Sequence, residues 1–390
     1  MSSLASSRTP PTGHPSRLRI ALVSPPMLAL PPAGYAGTER VVTTLALELH
    51  ARGHEVTVFA PGDSELPCKL VPIVPRALWS TGMRGTPEDG LQAAALMAWE
   101  RRGAFDVIHS HVDTPGFPVA RISDVPMVTT LHGRLDTTPT VDRIDTYRDV
   151  PLIAISASQR RWHPDAAWIA TIPHGLDFSA TPFASTNDDY LVVVGRVSRE
   201  KGVEEAIEVA RMTGRRLVMA AKVHEAHEHE LFRTTVEPAI AAGIVDWKGE
   251  VGSRERDDLL AGAVATLMLG AWPEPFGLVA IESMATGTPV IARRAGAYPE
   301  IIAHGRSGFL VDDIDEAVLA VSRVASLDRH SIASEARVRF SKERMTSRYE
   351  AAYRALIEGS PRTDVAAPPG ERADASGRPG TARVGIAAGA

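Results

Sequence analysis

The strongest constraint in this chain is a strand–loop–helix–strand unit that occurs twice. Residues 18–24 (Leu18 to Ser24) read as a buried strand that runs into the Pro/Gly-rich loop 25–38. Thr38 to Arg52 then shows helical spacing through Val41, Val42, Leu45 and Leu49, and Gly53 stops it. His54 to Ala60 follows as the next strand. The pattern restarts at Tyr190–Val194, with a helix at Val203–Met212 and a strand at Arg216–Ala220. Between and after these units, strands are expected at Val107–His109, Met127–Leu131, Leu152–Ile155, Trp168–Ile172, Val245–Trp247, Ala265–Met268, Pro289–Ala292 and Phe309–Val311. Alternating strands and helices specify α/β sheets of the parallel, doubly wound kind. Two such units in series predict two Rossmann-like domains that face each other across a cleft, with ligands at the carboxyl ends of the strands.

The expected boundaries are residues 17–175 for the first domain, 176–189 for a linker and 190–340 for the second. The linker region carries Pro173, Pro182 and the polar run 185–189. A helix at Lys342–Ile357, within 341–360, is expected to pack back on the first domain. Residues 1–16 and 361–390 are rich in Pro, Gly, Ala and Ser and read as disordered. With 390 residues the chain can build two ordinary cores. A formal charge of -5 argues against nucleic acid as a main partner. The single cysteine, Cys68, excludes an internal disulfide framework and a cysteine zinc site, and it fits a reducing cytoplasm. Residues 1–17 lack the apolar core of a signal peptide, and no run approaches the ~18 apolar residues of a membrane span. Peripheral membrane contact is left open.

Three segments carry chemistry. In Glu274-Pro-Phe-Gly-Leu-Val-Ala-Ile-Glu282, two carboxylates flank Pro275, Phe276, Gly277, Leu278 and Val279. If Gly277 and Leu278 begin a helix, its free backbone N–H groups suit a phosphate, and Glu282 lies on the helix's inner face. Carboxylates for hydroxyls and amides for phosphate together describe a pocket for a sugar nucleotide. Taken alone, the segment also fits an exposed loop-helix. Gly195-Arg-Val-Ser-Arg-Glu-Lys-Gly202 follows the first strand of the second unit. There Arg196 offers a planar fork and Lys201 a mobile point charge, a pair able to hold a diphosphate. Gly34-Tyr-Ala-Gly37 opens the helix of the first unit and is a partial phosphate loop, although Thr38 can equally serve as a helix cap.

His132 follows the strand Met127–Leu131 and should face the cleft. His109 and His111 end the preceding strand and carry less weight, and His174 is expected to shape a turn. The His/Glu-rich run 224–230 lacks metalloprotease spacing and reads as a solvated helix face. Asp313 and Asp315 sit where capping explains them. The chain has no Gly-x-x-x-x-Gly-Lys loop and no Gly-x-Ser-x-Gly elbow.

On these residues the chain resembles the retaining glycosyltransferases of family 4, also called glycosyl transferases group 1, over about residues 18–358. The likeness is most specific from Pro273 to Ile291. Gly195-Arg196 with Lys201-Gly202 matches the donor-diphosphate loop, and Gly296–Glu300 and Gly305–Phe309 match the closing segment. The chain departs from the pattern at Ala36-Gly37, where the family has a double glycine, and at Thr286, where it often has Cys or Leu. The resemblance implies the GT-B architecture and transfer of a hexose-type sugar from a nucleotide-diphosphate donor, a UDP-sugar being the family-level choice. The acceptor would be a saccharide, glycolipid or small molecule. By the same resemblance His132 would stand beside the donor sugar, Glu274 would contact sugar hydroxyls and Glu282 the ribose. Arg196 and Lys201 would neutralise the leaving diphosphate, so no metal or other cofactor is expected. Gly34, Gly37, Pro275, Phe276, Gly277, Leu278 and Val279 would complete the donor site. Two alternatives stand beside this one: a catalytically idle sugar-nucleotide-binding partner protein, and an NAD-dependent enzyme, which would need a Gly-x-Gly-x-x-Gly that neither first strand precedes.

Overall fold

The computed structural model describes residues 17–34, 36–83 and 88–359. The disorder expected of 1–16 and 361–390 falls outside the described residues. Two all-parallel sheets organise the rest. The first contains β1 (Arg19–Val23), β2 (Glu55–Ala60), β3 (Lys69–Pro72), β4 (Val107–Ser110), β5 (Met127–Thr130), β6 (Leu152–Ala154) and β7 (Trp168–Thr171), in the order β3-β2-β1-β4-β5-β6-β7. The second contains β8 (Tyr190–Arg196), β9 (Arg216–Lys222), β10 (Val245–Trp247), β11 (Ala265–Met268), β12 (Val290–Arg293) and β13 (Gly308–Val311), in the order β10-β9-β8-β11-β12-β13.

The strand residues explain the arrangement. Val, Ile, Leu and Ala fill β1, β2, β4 and β8, and nearly every one is buried, as a strand covered on both faces requires. In each sheet the order reverses beside the first strand, between β1 and β4 and between β8 and β11. Ligand crevices form at such switch points, so the loops after β1, β4, β8 and β11 are the ones to inspect.

Two elements lie in the stretch from 60 to 105, where the sequence carries no readable motif. One is the edge strand β3, four residues long and only part-buried. The other is α2 (Glu88–Glu100), counted after α1 (Thr38–Ala51), whose buried face consists of Leu91 and three alanines. Thr38 is the first residue of α1 rather than its cap; Gly37 holds the cap position and supplies no side-chain hydrogen bond. Asp313 does cap, accepting from the Glu316 amide.

In the second domain α3 (Val203–Thr213) follows β8 and α4 (Leu278–Ala285) follows β11. The loops leading into them touch backbone to backbone. A Cβ on Gly270 would lie 1.8 Å from the Glu200 carbonyl oxygen, and one on Gly202 would lie 2.3 Å from the Gly270 amide. Only glycine permits that approach, which brings the Lys201 loop against the Glu274 loop. No helix among the described residues is long and apolar enough to cross a membrane.

The last helix, α5 (Lys342–Ile357), returns to the first domain and packs on α1. Met345, Tyr349, Ala352 and Tyr353 join Leu45, Leu49 and Ile20 in one core. Arg52 and His54 both bind Glu350, at 2.8 and 2.6 Å. The Tyr353 hydroxyl is hydrogen-bonded to His109 Nδ1 at 2.7 Å, inside the core. Tyr353→Phe should therefore cost about 1–2 kcal/mol in chemical denaturation, because it strands a buried imidazole nitrogen while keeping the ring. A loss under about 0.3 kcal/mol would show that the hydroxyl contributes nothing there.

Candidate active site

Between the sheets lies a cleft of about 700 Å³, lined by residues from the loops just identified. From the first domain come Gly37, Thr38 and Arg40 at the start of α1, His132 after β5, and His174 after β7. From the second come Lys201, the run Glu274–Val279, and Glu282.

The charged half of the cleft centres on Glu274. Lys201 Nζ approaches Glu274 Oε2 at 2.6 Å, and the Trp272 indole N–H donates to the same oxygen at 3.1 Å. Lys201 also lies 4.8 Å from the Trp272 ring centre, a cation–π arrangement. Both charged side chains are mostly buried, so the pair is shielded from screening by salt. Gly277, at φ 98, turns the chain into α4 with no side-chain cap. The Ala280 amide is taken by the Gly277 carbonyl at 3.0 Å, which leaves the Leu278 and Val279 amides, at the cleft-lining start of α4, ahead of any intrahelical acceptor, as in an anion site. Glu282, buried on α4, pairs with Arg40 from the first domain and with Arg256 at 3.2 Å.

The neutral half is a stack of histidines. His109 and His111 lie on one face of β4 and its extension, with ring centres 4.0 Å apart. His111 Nδ1 is 2.9 Å from His132 Nε2, and the His132 ring stacks on His174 at 5.2 Å and 17°. His174 in turn meets the Phe276 ring edge-on at 4.9 Å. Burial holds all four imidazoles below the ordinary histidine range, with neighbouring histidines adding to the effect at His109, His111 and His174. His132 keeps some solvent contact, yet burial pushes it down to about 3. At neutral pH the stack is uncharged.

Asp113 fixes this half from behind. Its backbone sits at φ 51, ψ −146, a strained conformation for a non-glycine residue. Its carboxylate accepts from the His132 amide at 2.8 Å. Burial raises the Asp113 carboxyl to about 6, against the opposing pull of the His132 and Gly133 amides.

The fold places His132, Lys201, Glu274, Glu282, Gly37 and the 275–279 run around one cleft. Arg196 and Gly34 stand outside it. Arg196 ends β8 with its guanidinium on Glu228, 2.9 Å away, and Glu200, 3.7 Å away. Gly34 lines an adjoining recess with Gly195, Lys222, Glu250 and Arg256. Its motif neighbour Tyr35 lies outside the described residues. Pro275 and Phe276 are also structural: the Pro275 carbonyl accepts from Ser156 Oγ at 2.7 Å, and Phe276 is buried.

Two sequence expectations need correction. The run 224–230 is not simply a solvated face, because Glu228 is completely buried. Its Oε1 receives Arg196 while Oε2 accepts the His224 and Glu225 amides, in a capping box with Glu225. The Glu-x-x-Glu spacing before an apolar Leu231 was the available signal. His174 does more than shape a turn, since it is the outer member of the stack. Arg40, Asp113 and Arg256 escaped the sequence reading because the partners they hold at the cleft are distant in the chain, whereas Trp272 donates to Glu274 only two residues on. The His-x-His spacing of His109 and His111, which puts both on one strand face, was readable.

Residues 178–343 match the family model described as glycosyl transferases group 1, and residues 35–179 match that of glycosyltransferase family 4. The glycogen synthase of Mycobacterium tuberculosis (strain H37Rv) is 28% identical over 415 residues, spanning 91% of this chain and 96% of that protein. The D-inositol 3-phosphate glycosyltransferase of Mycolicibacterium smegmatis is 28% identical over 373 residues, 82% of this chain and 85% of its own. Among solved structures, the sucrose-phosphate synthase of Thermosynechococcus elongatus shares the fold with a TM-score of 0.73 at 19% identity, over 88% of this chain and 100% of that one.

The stack generates a pH prediction. A histidine whose folded pKa is depressed contributes stability that is full above its unfolded value near 6.5 and is lost as pH falls. Asp113, raised from 3.8 to about 6, acts oppositely: its contribution is full below about 4 and lost as pH rises to 6. Four imidazoles outweigh one carboxyl, so the midpoint of thermal unfolding should fall between pH 7 and pH 5. A flat or rising midpoint over that interval contradicts a neutral stack.

Proposed function

This chain belongs to the GT4-type glycosyltransferases of the GT-B fold, and from that premise we propose that it is a retaining enzyme that needs no metal. It moves a hexose-type sugar from a nucleotide diphosphate, a UDP-sugar, to an acceptor hydroxyl. The observation that carries the reading is the convergence of Lys201, Glu274 and the uncapped start of α4 in one cleft, at the carboxyl ends of β8 and β11.

On this reading the C1–O bond to the diphosphate breaks with its electron pair going to the leaving phosphate oxygen. The charge that develops there meets Lys201 and the first amides of α4, which is electrostatic stabilisation of a leaving group. Arg196 shares that role once its guanidinium turns from Glu228. The acceptor oxygen bonds to C1 on the face the phosphate leaves, and its proton passes to the departing phosphate oxygen. Glu274 and neutral His132 hold sugar hydroxyls, and Glu282 takes the ribose in exchange for Arg40.

Lys201→Ala, Glu274→Ala and Arg196→Ala should each lower UDP release in the presence of acceptor, with Lys201→Ala down by ~10²–10³. Near-normal turnover in all three, for a UDP-sugar that the wild-type chain demonstrably uses, would sink the proposal. Binding should be visible without turnover, because a donor at about 100 times its Kd adds about 2.7 kcal/mol to stability.

A further inference from the structure

Glu282 carries two cations where one would balance it. Arg40 and Arg256 each bring a guanidinium nitrogen to its Oε1, Arg256 at 3.2 Å. That oxygen is buried and accepts no hydrogen bond among the described residues, so charge rather than hydrogen-bond geometry holds the arginines there. The two are not equivalent. Arg256 belongs to the second domain, and Asp257 Oδ1 fixes it through Nε and Nη2 at 2.9 and 2.7 Å. Arg40 belongs to the first domain, and its guanidinium makes no other ion pair or hydrogen bond among the described residues. Its side chain lines the cleft and is 21% exposed, against 5% for Glu282, so a ligand reaches it.

Arg40 stands in the first turn of α1, which abuts the start of α4: a Cβ on Gly37 would lie 3.6 Å from Leu278 Cδ1. A guanidinium that leaves Glu282 therefore finds the Leu278 and Val279 amides and Lys201 around the same cleft. Its fork matches two phosphate oxygens. The departure leaves no bare charge, because a sugar hydroxyl can donate to the vacated Oε1 and Arg256 still balances the carboxylate. Arg196 is bound differently. Its partner Glu228 is completely buried and has its second oxygen committed to the His224 and Glu225 amides, so Arg196 leaves behind an unmatched carboxylate oxygen. Arg40 is the easier of the two arginines to move.

We propose that Arg40 is a diphosphate ligand supplied by the first domain: ribose hydroxyls take its place on Glu282, and its guanidinium moves to the phosphate oxygens at the start of α4. The proposal rests on the donor-site reading. Donor binding then exchanges a direct ion pair between the domains for a bridge that runs through the ligand.

Calorimetric titration of the full chain with UDP, GDP and ADP, and with their nucleosides by competition, separates the two positions of Arg40. For the diphosphate that the wild-type chain binds, Arg40→Gln should raise Kd about tenfold, the loss of a charge-assisted pair. The matching nucleoside should bind Arg40→Gln as well as wild type or better, since Glu282 has lost its occupant. A diphosphate Kd within about threefold of wild type, or below it, overturns the proposal and leaves Arg40 as a plug on Glu282. An equal loss for diphosphate and nucleoside overturns it as well, because the damage is then to the whole site. Should Arg40→Gln not fold, a crystal structure of the wild-type chain with the bound diphosphate decides. The guanidinium on a phosphate oxygen supports the proposal, and the guanidinium still on Glu282 refutes it. A wild-type chain that binds none of the three diphosphates removes the donor reading and this proposal with it; wild-type binding that Arg40→Gln leaves unchanged removes this proposal alone.

Discussion

The cleft exists because two sheets that share no strand are pinned together through the segments that follow their strands, and the pins are backbone groups held by side chains. Glu300, from the second domain, accepts the amides of Ala157 and Ser158 at 2.7 and 2.6 Å. Ser156 donates to the carbonyl of Pro275 beside them. Burial raises the Glu300 carboxyl, which marks the cost of placing it there, and the two amides offset that cost by satisfying both oxygens. This contact sets where Glu274 lies relative to His132. A shift of 1 Å at this seam would separate the charged half of the cleft from the neutral half, although no group in the seam has a chemical role.

Those two halves are built on different physical principles. Around Glu274 the protein gathers full charges and balances them: Lys201 on Glu274, Arg40 and Arg256 on Glu282. Each pair leaves a group that a polar ligand can claim by exchange, so charged partners are preserved without being left bare. Around His132 the protein removes charge altogether by burial. A sugar diphosphate has the same division, with an anionic end and a neutral polyhydroxyl end.

Much of this was legible from sequence, for a reason that also explains the gaps. Val192, Val193 and their kind declare a buried strand through composition alone, and Glu274 and Glu282 announce themselves through spacing along one helix start. Such signals are local. The edge strand β3 is short and ends at Pro72, and α2 hides its buried face in alanines, so neither has a strong period. Arg40 and Arg256 meet at Glu282, and Glu228 receives Arg196, only because the chain folds. Arg196 is the instructive case: its place in the loop after β8 follows from local pattern, while its direction is set by a carboxylate further along the chain. Asp113 belongs to no sequence motif; its role lies in a backbone angle that composition does not encode.

The return of α5 to the first domain makes the second domain topologically an insertion. The chain leaves the first domain near Leu176 and comes back at Ser341, and the two passes lie side by side, with Leu176 N donating to Phe340 O and Lys342 N to Leu176 O. During synthesis the second domain has all its strands before Tyr349 and Tyr353 exist. The usual N-terminal-first order on the ribosome is therefore inverted: the earlier half of the chain must wait, its core open where α5 belongs, until the later half has been made.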